Sequence, residues 1–226
     1  MKCPVWLEQI SNLLVAIMNN PYRKRPQIKA FTLIELLVVI VIITVLSVVA
    51  LPRFLNLQSD SRIAIFNGAQ SQFQSAITFA HSKWLVNGGG NSEMNDLPGF
   101  GEDANGNPQL DMNDEGYPLG VDKNSPMGAP YNIGKGHQGC VAIWDAIMNT
   151  DLTVTTDRDN VDGFDFVSHR QNLTFLTKEG GSETAQALCY YIYTAEGHHR
   201  NPDRAEYVFW YNSRTGEITN SRPEDI

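Results

Sequence analysis

The chain is poor in cysteine, holding only Cys3, Cys140 and Cys189 among its 226 residues, too few for a disulfide scaffold. It is also short of positive charge. Lys and Arg number 17 against 25 Asp and Glu, and the net charge of −8 makes a general nucleic-acid binder a poor fit. No Gly-rich phosphate loop follows a strand pattern, the His-x-x-x-His metal spacing is missing, and no repeat or low-complexity tract is present. A mean hydropathy of −0.26 excludes a polytopic membrane protein but leaves room for a single span. What remains is a chain of ordinary apolar content, 42%, which can build one packed domain with an appendage.

Charge is unevenly placed. Residues 1–30 carry Lys2, Arg23, Lys24, Arg25 and Lys29 against Glu8, or 5 − 1 = +4, so residues 31–226 carry −8 − 4 = −12. Between basic head and acidic body lies FTLIELLVVIVIITVLSVVAL, residues 31–51, whose polar members are Thr32, Glu35, Thr44 and Ser47. As a helix these 21 residues reach about 32 Å, enough to cross a bilayer core once. Strands rarely exceed about ten residues, so the run does not read as one. Basic residues precede it and only Arg53 follows closely, which places the N-terminus in the cytoplasm and the acidic body outside. The run is too long for the apolar core of a secretory signal peptide, and the small residue Ala30 precedes it instead of following it. Glu35 sits inside the run, where a carboxylate is costly and favours a partner.

Lys29-Ala30-Phe31-Thr32-Leu33-Ile34-Glu35 followed by an apolar helix resembles the N-terminus of type IV prepilins and pseudopilins. The resemblance implies cleavage between Ala30 and Phe31 by prepilin peptidase and N-methylation of the new Phe31 amine. It also implies an ion pair in the filament between Glu35 and the N-terminal amine of an adjacent subunit. The residue before the cut is usually Gly in that family and is Ala30 here. The 30-residue leader is long, and Met18 is expected as the true start, giving a leader of residues 18–30. The segments Pro52-Arg53-Phe54-Leu55-Asn56-Leu57-Gln58 and 111–120, with Gly116-Tyr117-Pro118 inside it, resemble the MSHA (mannose-sensitive haemagglutinin) branch.

Pro52 predicts a kink or loosened turn. Beyond it Phe54, Leu57, Ile65, Ala69, Phe73, Ala76, Ile77, Ala80 and Trp84 recur at helical spacing until Asn87-Gly88-Gly89-Gly90 ends the pattern. A helix of about 55 residues is expected, its half at 31–51 in the membrane and its amphipathic half at 52–87 laid on a domain. Residues 88–139 show no apolar periodicity and read as a connecting loop region. Residues 140–226 read as a short apolar element from Cys140, possessing helical character to Met148, then strands at 152–156, 164–168, 172–177, 187–194 and 206–211. Segments 207–211 and 217–219 flank a five-residue hairpin turn, Asn212-Ser213-Arg214-Thr215-Gly216. The expected class is α+β: a long N-terminal spine helix packed on a C-terminal antiparallel sheet, the type IV pilin fold by resemblance.

Cys140 and Cys189 fall on the oxidising side of the membrane and are expected to form a disulfide, and the C-terminal disulfide-bounded region of pilins adds weight. Asp103, Asn105, Asn107 and Asp111 are weak calcium candidates: Pro108 stands where an EF-hand needs Gly, and a solvated turn is preferred, with no metal expected. His81 reads as a surface residue, and His198 and His199 as part of a solvated loop. His137 near Cys140 suggests a Cys-His pair less well than it suggests a neighbour of an oxidised cysteine. The aromatics Tyr190, Tyr191, Tyr193, Phe209, Trp210 and Tyr211 read as core rather than a stacking surface for sugars or DNA. No enzymatic activity and no cofactor are expected. The reading is a structural subunit, minor because of its long 88–139 loop and bulky strand residues, of an MSHA-like pilus for surface attachment. Expected partners are prepilin peptidase, other pilins, an assembly ATPase, a platform protein and the inner membrane, with no nucleic acid. The chain would be single-pass in the inner membrane, its C-terminal domain periplasmic, and later part of an extracellular filament. Rival readings are a type II secretion pseudopilin and a membrane-anchored periplasmic module binding glycan or calcium.

Overall fold

The computed structural model describes residues 31–123, 130–177 and 179–225. The leader, with Met18, Cys3 and Ala30, lies outside them. Helix α1 spans Leu33–Val86, 54 residues, and the chain divides into two units, Met1–Pro52 and Arg53–Ile226. The helix begins just after Thr32 and continues through Pro52 without a break. It stops where Gly88 takes φ +91, a left-handed conformation open to glycine at low cost, while the Gly89 N–H returns to the Trp84 carbonyl at 2.9 Å. A Cβ on Gly89 would stand 2.3 Å from the Trp84 ring, so that position also needs glycine.

In the second unit the buried stripe of α1 is Phe66, Ala69, Phe73, Ile77, Ala80 and Trp84, at steps of three and four. The expected stripe is thus corrected at its start. Ile65, Phe54 and Leu57 are 41%, 59% and 64% exposed, and Phe66 takes the inward place beside the rings of Tyr193, Tyr207 and Phe209. Periodicity allows either neighbour; where the sheet lies decides between them.

The main sheet has the order β3-β4-β5-β6-β7, formed by Val154–Thr155, Phe166–Leu176, Ser182–Tyr193, Val208–Asn212 and Ile218–Thr219. Two expectations are corrected here. The sheet is not wholly antiparallel, because β3 pairs in parallel with β4. The connection 156–165 is long enough to carry the chain back before β4 begins. Asp165 then fastens the crossing, its carboxylate accepting from the Thr153 N–H at 2.8 Å and the Thr153 hydroxyl at 3.0 Å. Secondly, the segments 164–168 and 172–177 are one strand. A register shift between Gln171 and Leu173 reverses the in–out alternation, so one bulged strand looks like two in sequence. A hairpin turn lies where it was expected, one residue shorter at its start because Asn212 ends β6: the Gly216 N–H donates to the Asn212 carbonyl at 2.8 Å, and the Asn212 N–H to the Glu217 carbonyl at 3.0 Å.

Both faces of β5 and β6 are buried. Cys189, Tyr191, Tyr193, Phe209 and Tyr211 meet α1 and the helix α2, Gln138–Ile147. Leu188, Tyr190, Ile192, Val208 and Trp210 join Leu173 and Phe175 on the other side. The six aromatics considered as a stacking surface are at most 3% exposed and are packing groups. Phe73 sits at the centre, with its ring centroid 5.0 Å from Tyr191 and 5.5 Å from Phe209.

Within 88–139, read as loop, the structure places an antiparallel pair, β1 Leu110–Met112 and β2 Pro118–Val121. Strands of three and four residues carry too little alternation to be seen in sequence. Buried Asn113 holds the pair to the sheet domain: its amide donates to the Ser213 carbonyl at 2.6 Å, and its side-chain oxygen accepts from the Tyr117 N–H at 2.7 Å. The Tyr211 hydroxyl, fully buried, donates to the Pro118 carbonyl at 2.8 Å and ties β2 to β6. Tyr211→Phe is expected to lower unfolding free energy by about 1–2 kcal/mol, because it leaves a buried carbonyl without its partner. Urea unfolding measures this, and an unchanged midpoint would count against the tie.

Candidate functional site

The first turn of α1 is closed on itself. Glu35 Oε2 accepts from the Thr32 N–H and from the Thr32 hydroxyl, both at 2.8 Å, and Thr32 Oγ1 accepts from the Glu35 N–H at 3.3 Å. This is a reciprocal capping box, Thr-x-x-Glu, and it satisfies backbone donors that no preceding turn can reach. The pattern is visible in the sequence, yet the sequence reading gave Glu35 only its membrane and filament roles. Phe31 stands exposed beside this cap; Ala30, the other side of the expected cut, lies outside the described residues.

The described apolar side chains from residue 33 to residue 48 are all exposed. Thr44 and Ser47 turn their hydroxyls back to the carbonyls of Val41 (2.8 Å) and Ile43 (2.7 Å), so they present little free polarity. Among the described residues, no helix is long and apolar enough to cross a membrane.

The second expected feature is present. Cys140 on α2 and Cys189 on β5 form a disulfide across a sequence separation of 49, and both are fully buried. The Tyr191 hydroxyl donates to the Cys140 carbonyl at 2.8 Å, so the bridge and a hydrogen bond clamp the same turn of α2.

The weak cation candidates are separated in role. Asp103 closes its own turn, Oδ1 accepting the N–H groups of Asn105 and Asn107 at 2.8 Å each, and these bonds hold its carboxyl below the usual range. Asp111 is buried in β1 and accepts from the N–H groups of Asp96 and Lys123, while burial pushes its carboxyl up. No group of three or more His, Cys, Asp or Glu side chains converges on a cation position among the described residues.

His81, read as a surface residue, is half-buried instead. Its ring stacks on Tyr117 at 4.9 Å, and its Nδ1 lies 3.0 Å from the Gly116 carbonyl, because the β1–β2 turn folds over that face of α1. His137 does not pair with a thiol, since Cys140 is oxidised; its ring stacks on His169 at 3.9 Å. Near His198 and His199, Arg200 pairs with Asp159 at 2.7 Å on the surface.

Residues 25–51 match the family described as the prokaryotic N-terminal methylation motif. The match is to a prepilin-type signal and ends within α1, leaving the sheet domain outside it. No curated protein and no solved structure matches the chain. The motif points to a type IV pilin or pseudopilin-like protein, with processing by prepilin peptidase and assembly with other pilins as its implied fate. The α+β architecture is compatible with the pilin fold.

Proposed function

We propose that the chain is a minor structural subunit of an MSHA-like type IV pilus, and that it works by assembly rather than catalysis. One observation carries this reading: the methylation motif runs directly into α1, with the carboxylate of Glu35 in its first turn. The apolar run 31–51 holds the subunit in the inner membrane, its sheet domain on the periplasmic side. Extraction then buries the run among the same helices of neighbours, where removing apolar area from lipid and water, worth about 25 cal/mol per Å² against water, holds the bundle. Pro52 loosens the helix between its two halves. An assembly ATPase and a platform protein supply the extraction, and the finished filament serves surface attachment. The disulfide and the doubly buried sheet keep the exported domain folded outside the cell.

Mass spectrometry of the wild-type protein from cells with active prepilin peptidase tests the first step. The mature chain is expected to begin at Phe31 with a methyl group on its amine. A mature chain that begins upstream of Phe31, with peptidase present and no trimmed form, would overturn the reading. Immunogold labelling of sheared filaments then locates the subunit. Sparse or tip-restricted label supports a minor pilin. Absence from filaments, together with co-purification with secretion components, supports a pseudopilin, which the same motif serves.

A further inference from the structure

The acidic body contains one concentrated basic hollow. A cavity of about 390 Å³ is lined by His137, Arg158, His169, Arg170, Tyr190 and Arg222, and no carboxylate is among its lining residues. Five parts of the chain converge to make it, four of them bearing its cationic and imidazole groups. His137 comes from the start of α2, Arg158 from the β3–β4 connection, His169 and Arg170 from β4 just before its bulge, and Arg222 from the C-terminal tail. Tyr190 arrives by register, directly opposite His169 across the β4–β5 ladder.

Arg170 and His169 are held in place by neutral carbonyls, and Arg222 by a carbonyl and a carboxylate. Arg170 donates to the Ile133 carbonyl at 2.6 Å, and His169 Nε2 to the Thr156 carbonyl. Arg222 donates to the Asn172 carbonyl and to the Asp225 carboxylate, both at 3.1 Å. Arg158 and Arg170 form no ion pair among the described residues. Burial holds both imidazoles below their usual range; the charges of Arg170 and Arg158 add to this at His137, while at His169 the Thr156 hydrogen bond opposes it. Neutral His169 spends its one N–H on Thr156, so of the two rings only His137 can offer a donor without adding repulsion.

Tyr190 makes the second observation. Its hydroxyl is buried, and Arg158, which can only donate, bears on the oxygen through its charge and a loosely aligned hydrogen bond, so the hydroxyl hydrogen has no acceptor among the described residues. A buried hydroxyl hydrogen left unpaired is costly, and an acceptor oxygen lodged in the cavity would receive it. Three guanidinium groups repel a metal cation. They suit a planar or tetrahedral group of oxygens, which an arginine grips with two parallel donors.

We infer that this cavity binds an oxyanion, the carboxylate, sulfate or phosphate group of a ligand that reaches the exported domain. The space is within the range of small-molecule sites and exceeds what a bare ion fills, which admits a sugar unit bearing the acidic group. The inference stands on the sheet domain alone and does not depend on pilus assembly.

The test is calorimetric titration of the full-length chain in neutral detergent at constant ionic strength, with sodium sulfate in one arm and glucuronic acid in the other. Saturable one-site binding in either arm supports the inference; tighter binding of the uronate identifies a sugar-borne acid, and tighter binding of sulfate a free oxyanion. Arg158→Gln, which loses only the loose contact with the Tyr190 hydroxyl, is expected to weaken binding about tenfold, and Tyr190→Phe to weaken it less. No saturable binding in either arm, or affinity unchanged in Arg158→Gln, would overturn it.

Discussion

Glu35→Gln should leave the chain helical, inserted and processed, yet absent from filaments. The observed cap and the proposed filament ion pair meet on this one carboxylate, and the substitution separates them. As a cap, Glu35 accepts from the Thr32 N–H and hydroxyl, and losing such a cap costs about 0.5–2 kcal/mol. Glutamine keeps a capping-box oxygen, so the local loss is smaller still. In the proposed ion pair with a neighbour's Phe31 amine, the carboxylate would act in low dielectric. There the loss of one partner strands the other and costs about 3–5 kcal/mol. That cost recurs at every subunit contact, whereas a frayed first turn can be tolerated. Glu35→Ala removes both roles and should also abolish incorporation. Immunoblots of sheared filaments against whole cells give the readout. Wild-type incorporation of Glu35→Gln would reduce Glu35 to a helix cap and remove the ion pair from the assembly mechanism.

Removing the disulfide is the other large effect. Cys140→Ala with Cys189→Ala is expected to lower unfolding free energy by about 3–4.5 kcal/mol in the chain-entropy picture, given the 49-residue separation. The remaining clamp, Tyr191 to the Cys140 carbonyl, spans the same two elements but does not restrict the unfolded chain. Chemical denaturation of the full-length protein measures the loss. The oxidised wild type should also migrate faster on a non-reducing gel than after reduction. Identical mobility, with two thiols open to alkylation, would show the bridge absent from the protein as made. A loss below about 1 kcal/mol would show that it constrains little.

The parts of the fold that were readable share a cause: each depends on residues close together in the chain. The α1 pattern from Ala69 to Trp84 and its stop at the glycine run are local, and so is the turn at 212–216. Cys140 and Cys189 could be paired because the third cysteine, Cys3, lies on the other side of the apolar run. The failures are of the opposite kind. Phe66 displaced Ile65 from the stripe, β3 entered the sheet in parallel, and a bulge joined two apparent strands into β4. The β1–β2 pair was hidden because its order comes from Asn113 and Tyr211 reaching distant carbonyls rather than from its own alternation.

The sequence by itself determined the apolar run, its acid, the processing signal and the helical period, because spacing along one chain decides chemistry at a helix terminus and along a helix face. Only the tertiary structure decided that arginines and histidines from four separate stretches of an acidic chain share one hollow. Their meeting is set by strand register and by the path of two loops, and neither is encoded by the separation of those residues along the chain.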